Sequence, residues 1–360
     1  MIYLSSAVLL FLFTYSLFLK NKLKYQEIGI FLIIFFIFFS VIALRTSGID
    51  YDSYSYIYDI QSFEYFSFPF YNTPTLGTTG NEFIFATAIS IFKSLNLSFQ
   101  SFLIFIGLLS LGIKFYFIKK YSSFIVLSCL LYFATLFVKD IGQIRHGLAI
   151  AIILFAILPL VKRQVMYYFL VVILASSIQV FSIVALPLYF LYPYLKNKKI
   201  AYLVILTSLI VYATGGIFDS LIPIVKLFSL FIEQKVYGYY ENKELDIVYL
   251  NIFNISMLLF SLILVYFKEK LSKNNLFFEG LIVSNIYAIS CYFFFADLGI
   301  ISGRIFELLG LYAVIFIMPT FIKMVKPKIV PIMIILLFSS LLSYKLYFQI
   351  EYSSLLEDLL

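Results

Sequence analysis

The stretch GLAIAIILFAILPLV, residues Gly147 to Val161, decides the fold class. It carries no charged or amide side chain and lies between Arg145-His146 and Lys162-Arg163. A run this apolar, fenced by cations, reads as a helix that crosses a bilayer. Comparable runs lie on both sides of it, at 2–19, 28–44, 99–117 and 123–138, then at 165–176, 180–195, 200–213, 247–267, 276–295, 305–322 and 329–344. The chain is 63% hydrophobic and 12% charged, about half the charge that a soluble domain needs to keep its surface in water. The expectation is a single membrane domain over 1–360, all-α and polytopic, with about twelve transmembrane helices.

The lysines give the sides. Short cytoplasmic loops collect Lys and Arg. One set of alternate loops holds Lys20/Lys22/Lys24, Lys119/Lys120, Lys162/Arg163, Lys196/Lys198/Lys199, Lys268/Lys270/Lys273 and Lys323/Lys326/Lys328, with few acids among them. This alternation survives only if the short apolar segment 82–95 does not cross, so it reads as a re-entrant or interfacial helix, and both termini fall outside. The opposite loops are long and acidic, at 45–98 and 214–246. Loops of that length in a chain of membrane helices are more often binding lids than idle connectors, though a solvated tether remains the plain alternative.

The net charge of +7 would suggest nucleic acid in a soluble protein, but here it is explained by topology, and no nucleic-acid partner is expected. Cys129 and Cys291 sit inside apolar runs, where a free thiol behaves as a small hydrophobe. No metal or cofactor is assigned. With 30 Tyr and no Trp, any interfacial aromatic belt must be made by Tyr.

Of the 26 basic residues, four are arginine: Arg45, Arg145, Arg163 and Arg304. Arg163, beside Lys162, reads as an ordinary topology signal. The other three fall on the outer side, where the positive-inside tendency disfavours them. A lysine-rich chain that places arginine there has use for a planar, permanently charged fork, suited to phosphate or carboxylate. Arg45 opens the segment RTSGIDYDSY, with Asp50, Tyr51 and Tyr54. Arg145 closes KDIGQIRH, with Lys139, Asp140, Gln143 and His146. Arg304 follows Ser302-Gly303 at an expected helix start, with Glu307 one turn on.

Each has a plain structural alternative. Arg304 and Glu307 can form an intrahelical pair, Arg45 and Asp50 can merely fix a loop, and His146 can be an interfacial histidine. Asp52 and Asp59 read as solvated. Gln179 lies at a depth where polar groups need partners, and it can line a site or join two helices.

Taken in order, the R-x-x-G-x-D-Y-x-x-Y segment at 45–54, Glu82 opening the next helix, the IRHGLA segment at 144–149 and the late GRI at 303–305 resemble the EpsG family of polysaccharide polymerases. That family is similar in role to the Wzy-type polymerases of O-antigen, capsule and exopolysaccharide assembly. The resemblance implies a metal-independent, GT-C-like glycosyltransferase of the bacterial inner membrane. It would join undecaprenyl-diphosphate-linked oligosaccharide repeat units on the periplasmic face, with membrane lipid and possible contact with a chain-length regulator as its surroundings. On this reading Arg145 and Arg304 hold the diphosphate and Arg45 assists. Asp50, Glu82 or His146 takes the acceptor proton, and Tyr51 and Tyr54 meet sugar faces. Lys139, Asp140, Gln143, Gln179 and Glu307 complete the substrate contacts. Relatives often carry histidine where this chain has Gln179, with a small polar residue like Ser182 after it, so no base is assigned there. A flippase for the same lipid-linked glycan, and a ligase using the same donor, are the alternatives; an acyltransferase has only His146 to rest on.

Overall fold

The computed structural model describes residues 24–43, 83–216, 252–273 and 275–324. The expected first and last spans and most of both long outer loops lie outside them, as do Arg45, Asp50, Tyr51, Tyr54 and Glu82. The described residues are helical throughout, with no strand among them. In chain order the helices are α1 (Lys24–Ala43), α2 (Phe83–Ser94), α3 (Phe99–Tyr121), α4 (Ile125–Thr135), α5 (Phe137–Ile141), α6 (Ile144–Val161) and α7 (Val165–Ser176). A 3-10 turn (Val180–Ala185) follows, then α8 (Leu186–Leu195), α9 (Lys198–Ala213), α10 (Ile252–Ser272), α11 (Leu276–Phe294), α12 (Gly299–Leu309) and α13 (Leu311–Met324).

Three described helical stretches are long and apolar enough to cross a membrane, Gln100–Tyr121, Ile144–Val161 and Leu276–Phe294; a fourth is added if the bent pair α12–α13 counts as one span. Several of the other expected spans are broken. The expected run 123–138 breaks at Leu136, the run 180–195 begins as a 3-10 turn, and the run 305–322 breaks at Gly310 and starts earlier, at Gly299. Arg304 therefore lies inside a helix rather than at its start. The outward faces are apolar: on α7, Met166, Tyr167, Leu170, Ile173 and Leu174 form one exposed stripe at helical spacing. Such a stripe would drive aggregation in water and fits a lipid environment. The chain is a membrane protein.

The chain packs as two compact units. The first takes its described residues from Met1–Leu154, Ile173–Val180 and Val314–Leu360. Here α1 and α3 run antiparallel. Phe31 meets Phe115 at 5.3 Å, Ile42 lies against Gly107, and the Gln100 side-chain amide donates to the Ala43 carbonyl. Gly107 is what lets the two backbones approach, since a Cβ there would sit 2.7 Å from Ile42 Cγ2. The chain thus returns at α3 to the end it left at Ala43. Between them α2, with 12 residues, is about 18 Å long, well short of a bilayer core. Phe85 and Phe92, two turns apart, both touch Phe102, so α2 lies across α3 rather than along it. Asn96, in the left-handed region at φ 53, ends α2 in a Schellman turn, with Leu97 N–H donating to Phe92 O and Asn96 N–H to Lys93 O.

The second unit takes its described residues from Phe155–Val172 and Phe181–Ala313. Its centre is α11, buried along most of its length. Gly280 brings α11 against Ile157 and Val161 of α6, with no room for a Cβ. Backbone carbonyls released by broken helices cannot turn to water in lipid, and side chains take them instead. Tyr168 and Tyr287 hydroxyls donate to the Ala185 and Val184 carbonyls of the 3-10 turn, at 2.5 and 2.9 Å. Asn285 donates to Gly310 O at 3.1 Å and accepts from Ser261 Oγ at 2.8 Å.

Two loops expected on the lysine-rich face meet at one end of this unit. Lys268 Nζ donates to Lys196 O at 2.5 Å, Lys198 pairs with Glu269 at 2.9 Å, and Glu279 takes Lys196 at 2.8 Å and the Tyr192 hydroxyl at 2.5 Å. Burial pulls the Lys268 ammonium down to about 8, against the opposing pull of Glu279. Arg163 proves to be more than a topology signal. It holds a left-handed backbone at φ 57, stacks on Tyr189 at 4.0 Å and donates to Tyr189 O, while the Tyr189 hydroxyl donates back to Arg163 O at 2.8 Å. Both cysteines are free and buried.

Candidate active-site corner

In the first unit the segment from Lys139 to Gly147 is a helical corner and not an exposed loop. α5 ends at Ile141, Gly142 N–H closes its last turn on Val138 O, and α6 opens at Ile144. The corner is held by the carboxylate of Asp140, a buried residue. Lys114 Nζ reaches both of its oxygens, at 2.7 and 2.6 Å. Ser110 Oγ donates to Oδ1 and is also 3.1 Å from Gly147 O. The Tyr132 hydroxyl donates to Oδ2. Thus α3, α4, α5 and α6 meet on one carboxylate. Gly147 is needed for this approach, because a Cβ would lie 2.6 Å from Asp140 Oδ1 and 3.0 Å from Lys139 O.

The Asp140 carboxylate, expected among the substrate contacts, is engaged by three side chains of the chain itself. Lys114 is the residue that sequence reasoning missed, and the signal was available: a lone lysine within an apolar run, where charge is rare and needs a partner.

The corner is also deep. Ser110 lies ten residues along α3 from Gln100, or about 15 Å. Arg145, in the first turn of α6, is half-buried and carries its guanidinium 5.8 Å from the Phe85 ring centre. Phe85 rests on Phe102, near the start of α3. Arg145 therefore reaches from a recessed corner towards the end where α1 finishes and α3 begins. Lys139 Nζ donates to Gln143 Oε1 at 3.3 Å, and both are half-buried. His146 is 3% exposed and Gln179 7% exposed; both sit in packed surroundings. Helix α2 is tied in by Ile84 N–H donating to Ser177 O, just before Gln179.

The IRHGLA segment opens α6, and the late GRI segment lies within α12. A family model described as EpsG matches residues 28–356, nearly the whole chain. The chain belongs to the EpsG family. That is a polysaccharide-polymerase-like family, so an EpsG member is expected to handle glycan at a membrane. No curated protein and no solved structure matches the chain.

In the second unit of this EpsG protein, Arg304 lies on α12 with its guanidinium 5.2 Å from the Phe181 ring centre, and Glu307 is half-buried one turn on. Ser302 Oγ turns back to Gly299 O. Two polar features that sequence reasoning passed over lie at the end of this unit where α9 stops. Asp297, 4% exposed, packs against Gly216, whose φ of 96 leaves no place for a Cβ. The Tyr292 hydroxyl donates to Asn254 Oδ1 at 2.9 Å. Arg145 and Arg304 thus each lie near an aromatic ring, a setting that partly desolvates a guanidinium.

Proposed function

We propose that this EpsG-family protein polymerises glycan by joining undecaprenyl-diphosphate-linked oligosaccharide repeat units on the periplasmic face of the bacterial inner membrane, for O-antigen, capsule or exopolysaccharide. The observation that carries the reading is Arg145, held at a recessed corner by a buried network in a chain of this family. The proposal keeps twelve spans, both termini outside and a GT-C-like arrangement.

The chemistry follows from the leaving group. A growing glycan passes from its lipid diphosphate to a hydroxyl of the incoming unit: the bond from the anomeric carbon to the diphosphate oxygen breaks, and one to the acceptor oxygen forms. The departing diphosphate is a weak base, so charge stabilisation matters more than a general acid. Arg145 and Arg304 are assigned that task, each as an anion-binding fork, with Arg45 assisting and no metal invoked. The acceptor proton goes to Asp50, Glu82 or His146. Tyr51 and Tyr54 are assigned to sugar faces, with Lys139, Gln143, Gln179 and Glu307 as further polar contacts; Asp140 leaves that set.

A flippase for the same ligand, or a ligase using the same donor, would also need cations. A strain lacking the protein separates them. Surface glycan reduced to a single repeat unit supports the polymerase; complete absence of surface glycan supports the flippase or the ligase.

A further inference from the structure

The Lys114–Asp140 pair is the most heavily built polar feature among the described residues, and nothing in the proposed reaction yet uses it. An isolated lysine or aspartate at the centre of a lipid-facing helix is costly. Even in the protein interior, a buried ion pair is often no more stable than apolar residues of the same volume. Lys114 and Asp140 side chains are each 1% exposed, so neither touches a ligand. What the pair does achieve is geometric. Asp140 lies five residues before Arg145 and Gly147 two after it, and Ser110 binds to both Asp140 and Gly147. Both flanks of the Arg145–His146 turn are therefore clamped to one turn of α3, and the guanidinium lies near Phe85.

We propose that Lys114, Asp140 and Ser110 are positioning residues for Arg145: they fix the corner so that the arginine fork is aimed before any anion arrives. Preorganisation of this kind is what makes a fixed charge effective in stabilising a developing one. The inference rests on the polymerase reading for its functional consequence, but not for its structural one.

The test uses the purified full chain carrying Lys114→Met together with Asp140→Leu, which removes both charges and leaves neither buried alone. Arginine reactivity towards phenylglyoxal is followed by peptide mass spectrometry, with Arg304 as an internal reference. The expected result is a several-fold change in the Arg145 rate, an unchanged Arg304 rate and shortened glycan in cells. If the double variant does not fold, Ser110→Ala, a smaller change that breaks the link between Asp140 and Gly147, must by itself change the Arg145 rate relative to wild type with the Arg304 rate unchanged, and an unchanged Arg145 rate overturns the proposal. A changed Arg145 rate with wild-type glycan supports the positioning role and counts against Arg145 as a diphosphate ligand. An Arg145 rate equal to wild type in a folded variant overturns the proposal, whatever happens to the glycan.

Discussion

Asn285→Ala is the perturbation whose size the structure sets most closely. Asn285 and Ser261 are both fully buried. The asparagine amide donates to Gly310 O at 3.1 Å, at the break between α12 and α13, and its oxygen accepts from Ser261 at 2.8 Å. Truncation removes both bonds. Gly310 O keeps a longer bond from Ala313 N–H at 3.2 Å, and Ser261 keeps Met257 O at 2.8 Å, so neither group is orphaned. Two interhelical bonds inside a membrane protein, at about 0.6 kcal/mol each on average and 1.7 at most, then give a loss of roughly 1–2 kcal/mol, including the small void. Ser261→Ala breaks one of the two and should lose about half as much. Reversible unfolding of the purified protein in mixed micelles with rising SDS reads both. A loss below about 0.5 kcal/mol for Asn285→Ala, or a larger loss for Ser261→Ala than for Asn285→Ala, would refute the view that Asn285 replaces water at the helix break.

Other consequences can be checked alongside. Ile42→Cys with Gly107→Cys should crosslink under mild oxidation, because the two Cβ positions lie 3.6 Å apart, within disulfide range; failure to crosslink would remove the antiparallel pairing of α1 and α3. Gly147→Ala should destabilise by about 1–3 kcal/mol through overpacking against Asp140, read in the same micelle assay, and should shorten glycan. Lys268 binds its proton less tightly folded than unfolded, so stability should rise as pH climbs from about 8 towards the ordinary lysine value of 10.5; comparison with Lys268→Met isolates that slope from other groups titrating there. Arg145→Lys and Arg304→Lys, which keep charge but lose the fork, should each shorten glycan at equal expression, and long polymer at wild-type levels in both would remove the diphosphate role.

The membrane class was legible from composition, because it depends on a sum over many residues. Lys196 meets Lys268, and Ala43 meets Gln100, pairs of positions that the lysine alternation places on a common face. The helix breaks at Leu136 and Gly310 were not legible. A run such as 305–322 stays apolar across its break, and the groups that make the break tolerable, Asn285 and Ser261, lie far away in sequence. The same reason hid the clamp at Asp140. Its position among Lys139, Gln143 and Arg145 looked like an outer loop, and only Lys114, 26 residues earlier, turns it into a buried anchor. Arg145 could be singled out because arginine is scarce here; its direction over Phe85 required the fold.

The central claim is that this EpsG-family protein forms glycosidic bonds between lipid-linked units. Purified protein reconstituted into vesicles with a lipid-diphosphate-linked oligosaccharide tests it directly. A ladder of lipid-linked products spaced by one repeat unit is expected, absent with Arg145→Ala. Vesicles in which the oligosaccharide is moved across the bilayer but never lengthened would contradict it.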